Sequence, residues 1–331
     1  MSIKQILIRG DGKMRLIKKG GRGIYAALAA LSICGLAGCT SASDPGVAEV
    51  AKMDNAGVSA DEIIEATTMA EPTPAQPEQE YSLEEMEFYR DGMKIYGRLY
   101  IPAGEGPFPV AIMGHGLGQN LGHMDVYAKD FAKEGIAAYT FDFIGGGNSI
   151  RSDGKMTEMS VLTEAADFNV VFDGIRSLDV IDQDNIFVMG GSQGGLVATY
   201  IAGTRPEEVK GLIALYPAYI LQDDARERTK DGTQFYDTFN LLGMTLSRQY
   251  DEDMLSFDIY EVMKNYEGEV LLLHGTKDAL VPMADSERAA ETFSSAELVV
   301  IEGGGHGFIG AAQVEASQCA IDFIKKVAGK E

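Results

Sequence analysis

The chain has 331 residues, enough for one large α/β domain with extensions, and 45% apolar content supports a sizeable core. Its formal charge is −22; residues 1–38 carry +6 of their own, so the remainder carries −28. A surface that acidic excludes nucleic acid as a partner and excludes electrostatic adhesion to anionic lipid. The four histidines are too scattered for a zinc site, and no metal or cofactor is expected.

The chain opens with a basic stretch, Lys4, Arg9, Lys13, Arg15, Lys18, Lys19 and Arg22, followed by the apolar or small run Ile24–Gly38. That run is too short to cross a bilayer comfortably and ends in Leu36-Ala37-Gly38-Cys39, which is similar to a bacterial lipobox. Residues 1–38 are therefore expected to be a lipoprotein signal peptide, with Cys39 the lipidated residue and translation from Met14 as an alternative start. An ordinary signal peptide or an uncleaved anchor is the competing reading. Residues 39–80 are rich in Ala, Ser, Pro, Asp and Glu, and Pro72-Thr73-Pro74-Ala75-Gln76-Pro77 cannot pack. They read as a flexible acidic tether. The expected location is the outer face of a cell membrane, with the lipid as the only membrane contact. Cys34 leaves with the signal and Cys39 carries lipid, so Cys319 stands alone and no disulfide forms within the mature domain.

From 81 to 331 short apolar runs alternate with amphipathic ones. Met86–Arg90 and Met93–Ile101, joined by Asp91-Gly92, predict a β-hairpin. Strand Val110–Met113, helix Met124–Lys133, strand Ala137–Phe141, helix Val161–Leu178, strand Asn185–Met189 and helix Leu196–Gly203 follow. Strand Gly211–Leu215 precedes residues 218–264, read as a small cap insertion. Strand Val270–Leu273, helix Ala284–Phe293, strand Leu298–Ile301 and helix Ala312–Val327 complete the chain. This alternation predicts an α/β fold with a mostly parallel central sheet flanked by helices. In such sheets ligands bind beyond the carboxyl ends of the strands.

One motif sits at such an end. Ile186-Phe187-Val188-Met189 runs into Gly190-Gly191-Ser192-Gln193-Gly194-Gly195, and a helical stretch follows. Gly-x-Ser-x-Gly between strand and helix is a nucleophile elbow: the glycines permit a sharp turn that exposes a serine hydroxyl. A serine needs a base, and the base needs an orienting acid. Downstream of Ser192, His306 lies in the loop Gly303-Gly304-Gly305-His306-Gly307 and suits the base, whereas His274 ends a strand and suits packing. Asp278 is the preferred acid; Glu302 and Asp253 compete. One oxyanion donor is the N–H of Gln193; the other comes from the loop Gly114-His115-Gly116-Leu117-Gly118-Gln119, at Leu117 with Gly116 as the fallback. His115 is expected to brace that loop, and His123 to have an ordinary surface or packing role. Gly145-Gly146-Gly147 lacks the context of a phosphate loop and reads as a tight turn.

Together these residues resemble the α/β-hydrolase superfamily, and within it the bacterial cinnamoyl/feruloyl esterase-like group, akin to serine aminopeptidases of the S33 type. The resemblance covers roughly Tyr81 to Val327. It rests on His115-Gly116-Leu117-Gly118, Phe141-Asp142-Phe143, Met159-Ser160-Val161-Leu162-Thr163-Glu164, Gly191-Ser192-Gln193-Gly194-Gly195, and Asp258-Ile259-Tyr260-Glu261-Val262 before His274-Gly275-Thr276-Lys277-Asp278. It implies Ser192, Asp278 and His306 as triad and Leu117 and Gln193 as oxyanion donors. Relatives often carry histidine where Gly191 stands and a different turn where Ile144-Gly145-Gly146-Gly147 stands. The expected activity is that of a serine carboxylesterase acting through an acyl-enzyme, with short-chain acyl and feruloyl or cinnamoyl esters, free or polysaccharide-linked, as candidate substrates. A serine peptidase of the aminopeptidase type is the first alternative, with Asp223, Asp224 and Asp251–Asp253 available to meet a peptide's amino terminus. A non-catalytic binding lipoprotein is the second.

Overall fold

The structure is a computed structural model that describes residues 4–9, 13–18 and 80–329. The apolar run Ile24–Gly38, Cys39 and nearly all of the tether lie outside the described residues. Near the amino terminus, β1 (Lys4–Arg9) and β2 (Lys13–Lys18) pair antiparallel, and β1 runs antiparallel to β12 (Ala296–Ile301). The sequence reading placed a basic stretch here and no strands.

The body of the fold is a sheet in the order β2-β1-β12-β11-β8-β7-β5-β6-β4-β3. β5 (Phe108–Gly114), β6 (Ala137–Phe141), β7 (Ile181–Gly191), β8 (Gly211–Leu215), β11 (Glu269–Gly275) and β12 are parallel. These central strands are buried on both faces, which is why they are continuous runs of Val, Ile, Leu, Ala and Met. Alternate side chains feed two cores. Val110, Ile112, Val188, Leu212 and Ala214 face one side, with α2 (Val161–Arg176), α3 (Gln193–Thr204) and α7 (Met283–Thr292). Ala111, Met113, Phe187, Met189 and Ile213 face the other, with α1 (Gly122–Lys133) and α8 (Ala311–Val327).

The predicted hairpin is β3 (Tyr81–Arg90) and β4 (Met93–Pro102), on the far edge. Asp91 and Gly92 both have positive φ, 52° and 80°, the primed turn whose twist matches its strands. The hairpin is pinned to α2 by Arg90, whose Nε donates to Asp167 Oδ1 at 2.5 Å. The other oxygen of Asp167 accepts the Ile144 N–H at 2.8 Å.

Residues 218–264 hold α4 (Ile220–Thr229), a small hairpin of β9 (Thr238–Leu241) and β10 (Met244–Ser247), α5 (Arg248–Met254) and α6 (Ile259–Met263). Gln222 stitches this insertion together, its amide nitrogen donating to the carbonyls of Met254 and Phe257 and its oxygen accepting the Ile259 N–H. α6 packs on α3: a Cβ on Gly203 would overlap the Val262 carbonyl.

The strand order reverses between β5 and β7, so the loops leaving these adjacent strands diverge and open a crevice. The Asp167 side chain is fully shielded, and burial pushes its carboxyl up to about 6 despite the arginine. Removing the cation leaves a buried carboxylate without its partner. Arg90→Leu is expected to lower the unfolding free energy by about 3 kcal/mol in chemical denaturation, and adding Asp167→Asn, which removes the charge and keeps an acceptor for the Ile144 N–H, to recover most of that loss.

Candidate active site

Ser192 stands between β7 and α3 with φ 56° and ψ −122°. For a residue with a side chain this conformation costs about 1–3 kcal/mol and persists only where the surroundings enforce it. They do so here. The Ser192 N–H donates to the Leu215 carbonyl, and the Ser192 carbonyl accepts the N–H groups of Gly195, Leu196 and Ala218. The turn is tight enough that a Cβ on Gly190 would overlap the Gly194 carbonyl, and one on Gly194 would overlap the carbonyls of Gly114 and His115. Those two positions require glycine.

The three residues singled out from the sequence meet in one hydrogen-bonded chain. His306 Nε2 lies 2.9 Å from Ser192 Oγ, and His306 Nδ1 lies 2.8 Å from Asp278 Oδ2. The carboxylate accepts Nδ1–H, which leaves Nε2 free to take the serine proton. Asp278 Oδ1 accepts the N–H groups of Leu280 and Val281, both at 2.9 Å, which fixes the carboxylate plane. The Asp278 and His306 loops are held together by Lys277 N–H on the Gly304 carbonyl and Gly303 N–H on Thr276 Oγ1. The competing acids are engaged elsewhere: Glu302 accepts from Thr276, and Asp253 is bonded to Ser160 and Gln249.

His274 is buried, with Nδ1 2.8 Å from Ser286 Oγ and Nε2 3.1 Å from the Val281 carbonyl. It braces the Asp278 loop, and burial holds its pKa down. His123 is exposed, with Nδ1 3.3 Å from the Asn120 carbonyl.

The oxyanion loop leaves β5. Among the described residues, the N–H groups of Leu117 and Gln193 have no protein acceptor, whereas that of Gly116 is taken by Gln119 Oε1 at 3.2 Å. This separates Leu117 from its fallback. Gly116 lies close to the serine: a Cβ there would be 3.1 Å from the Ser192 Cβ. The Gln193 N–H also opens the first turn of α3, where the helix dipole favours negative charge. A serine hydroxyl bonded to an imidazole can form a tetrahedral adduct with a carbonyl, and two free donors can stabilise its oxyanion.

The loop is held from behind. His115 is fully buried, its Nδ1 2.9 Å from the Gly116 carbonyl and its Nε2 accepting the Phe143 N–H at 3.2 Å. The Gly118 N–H donates to the Gly146 carbonyl, and the Asn148 N–H to the Gly118 carbonyl. Gly147 lies so close that a Cβ would overlap the Gln119 carbonyl oxygen. The glycine turn after β6 is thus the support on which the oxyanion loop rests.

Sequence reasoning passed over two neighbours of the site. Gln119 caps the Gly116 N–H, and Tyr216 packs its ring edge on His306 and Phe308 with centroids 4.9 Å apart in each case. Tyr216 also accounts for Gly191: a Cβ there would lie 2.9 Å from the tyrosine hydroxyl, in the space a histidine would need. An aromatic residue directly after the β8 strand was the available signal.

The fold is that of the α/β hydrolases, and the comparisons agree. Residues 107–262 match the family model "Serine aminopeptidase, S33", and residues 258–326 match "TAP-like protein". Over these segments the chain is similar to the α/β-hydrolase superfamily, and its fold is the α/β-hydrolase fold. Among curated proteins it is 28% identical over 177 residues to a monoglyceride lipase of Mus musculus, covering 52% of this chain and 55% of that one. It is 30% identical over 152 residues to Esterase FrsA of Salmonella typhi, covering 45% and 35%. The chain thus spans about half, or less, of the length of these relatives. Among solved structures, a ferulic acid complex of Est1E from Butyrivibrio proteoclasticus superposes with TM-score 0.68 at 24% identity, covering 74% of this chain and all of that one. An acetyl xylan esterase from Paenibacillus sp. R4 gives TM-score 0.58 at 20% identity, covering 77% and 86%.

Burial holds His115 down to about 4, against 6.5 for a free imidazole. A depressed folded pKa favours the folded state above pH 6.5, and the advantage is lost as pH falls toward 4. The stability difference between wild type and His115→Gln is therefore expected to shrink by about 3 kcal/mol between pH 7 and pH 4, followed by denaturant titrations at each pH. A pH-independent difference would contradict a buried neutral His115.

Proposed function

We propose that this chain is a serine hydrolase of carboxylic esters that works through an acyl-enzyme on Ser192. The observation that carries the proposal is the Ser192–His306–Asp278 chain, at 2.9 and 2.8 Å, beside the free N–H groups of Leu117 and Gln193. Ser192 Oγ attacks the ester carbonyl and its proton passes to His306 Nε2. The carbonyl oxygen, now negative, takes hydrogen bonds from Leu117 and Gln193. His306 returns the proton to the alcohol oxygen as the C–O bond breaks, leaving acyl-Ser192. Water, deprotonated by His306, repeats the attack and releases the acid. Asp278 stabilises the imidazolium in both halves.

Short acyl and feruloyl or cinnamoyl esters are the proposed substrates. Support comes from the fold shared with Est1E and the acetyl xylan esterase and from partial likeness to an esterase and a monoglyceride lipase. The S33 family description keeps the peptidase reading alive. The cap carboxylates that would favour it are largely engaged: Asp223 with Arg226, Asp251 with Arg228, Asp253 with Ser160. The complete chain of donors and acceptors argues against a silent binding protein.

The proposed location is the outer face of a membrane, through lipid on Cys39, and it rests on the sequence motif alone. Cys39→Ser is expected to move the protein from the membrane fraction to the soluble fraction on cell fractionation. Unchanged partitioning would contradict lipid attachment there.

Ser192→Ala is expected to lower kcat on p-nitrophenyl esters by about 10⁶-fold, and Asp278→Asn by about 10⁴-fold. A panel of acetyl, butyryl, longer acyl and feruloyl esters beside aminoacyl anilides gives the preference. Turnover retained in Ser192→Ala, or confined to the anilides, would overturn the esterase reading.

A further inference from the structure

We propose that Tyr250 of the cap and Glu164 of α2 are positioning residues for the oxyanion site, clamping the side chain of Gln193 from two sides. The proposal rests on the serine-hydrolase reading and assigns to the cap a part in it.

Gln193 is fully buried. Its Oε1 accepts the Tyr250 hydroxyl at 2.6 Å, and its Nε2 donates to Glu164 Oε2 at 2.8 Å with Met159 Sδ 3.6 Å away. An amide bonded at both ends has one orientation available. Its own backbone N–H is the donor next to the nucleophile, and the direction of that N–H is set by the strained ψ of −122° at Ser192. A strained peptide relaxes unless both ends are held. The Ser192 side of the peptide is held by backbone bonds to Leu215 and Ala218. On the Gln193 side, the side-chain clamp is the matching restraint. A displaced donor still lets substrate bind but no longer meets the oxyanion.

Both jaws are themselves fixed. Tyr250 is fully buried on α5, with Phe239 of β9 against it at a centroid distance of 6.1 Å. α5 is tied to α4 by the pairing of Arg228 with the buried Asp251, and to the start of α2 by Asp253 on Ser160. Glu164 sits one turn into α2, whose amino end Ser160 caps. Its carboxyl is wholly buried, and burial pushes its pKa well above the usual carboxylate range. The seat of the cap is thereby linked through one tyrosine hydroxyl to the donor beside Ser192.

The test uses the full chain with Tyr250→Phe, Glu164→Leu and Glu164→Gln. Tyr250→Phe keeps the ring and its packing and removes only the hydroxyl. The expected result is a fall in kcat on p-nitrophenyl acetate of about tenfold with KM unchanged, and a Tm lowered by a few degrees because the buried Gln193 Oε1 loses its donor. Affinity for a trifluoromethyl ketone, which needs the oxyanion donors, should weaken by the same factor. Glu164→Leu should behave likewise, and Glu164→Gln should restore most of what it loses. Wild-type kcat and ketone affinity in Tyr250→Phe would overturn the clamp, as would a loss of kcat that follows Tm while ketone affinity stays intact. A wild-type protein that neither hydrolyses the ester nor binds the ketone would instead remove the serine-hydrolase reading, and the clamp with it.

Discussion

The positive φ of Ser192 is the constraint on which the rest of the site depends. It turns the chain out of β7 abruptly enough to lift the hydroxyl above the sheet and, in the next residue, starts a helix whose first N–H is free. A residue with a side chain does not hold that conformation unaided. The surrounding fold supplies the restraint: the Leu215 carbonyl and Ala218 N–H from the neighbouring β8 strand end, and close backbone contact with Gly114 and His115 from the β5 strand end. The elbow is therefore a property of three adjacent strands, and it sits where the sheet's topology opens a crevice.

Everything else at the site is a second loop set against that elbow. Gly116 leaves no room for a Cβ beside the Ser192 side chain, and its loop is backed by the buried His115 and by the glycine turn after β6. The imidazole is oriented by Asp278 and flanked by Tyr216. Close approach explains the glycines at 147, 190 and 194 better than turn geometry does, since a Cβ at each would overlap backbone from another part of the chain or the next turn.

Much of this was legible in the sequence, for definite reasons. Gly-x-Ser-x-Gly needs a strand before it and a helix after it, and both are written in local hydrophobic pattern. The acid and base follow in a fixed chain order, with few histidines to choose among. Asp91-Gly92 between alternating runs specifies a hairpin by turn chemistry alone. The parts that escaped are those set by distant partners. Gly147 reads as a turn residue, but its neighbour is Gln119, 28 positions earlier. Tyr250 and Glu164 reach Gln193 across 57 and 29 positions. The β9–β10 hairpin is too short to announce itself, although Leu242 and Gly243 at its tip both take positive φ. At the amino terminus the pairing of β1 with β2 and β12 is not announced by the basic composition of that stretch.

The proposed function requires that this fold make one serine hydroxyl nucleophilic. Its most direct measurement is mass spectrometry of the folded and the urea-unfolded protein after exposure to a fluorophosphonate, with peptide mapping of the adduct. One adduct per folded chain is expected, on the peptide containing Ser192, and none on the unfolded chain. No adduct on the folded protein, an adduct at another residue, or equal labelling after unfolding would contradict it.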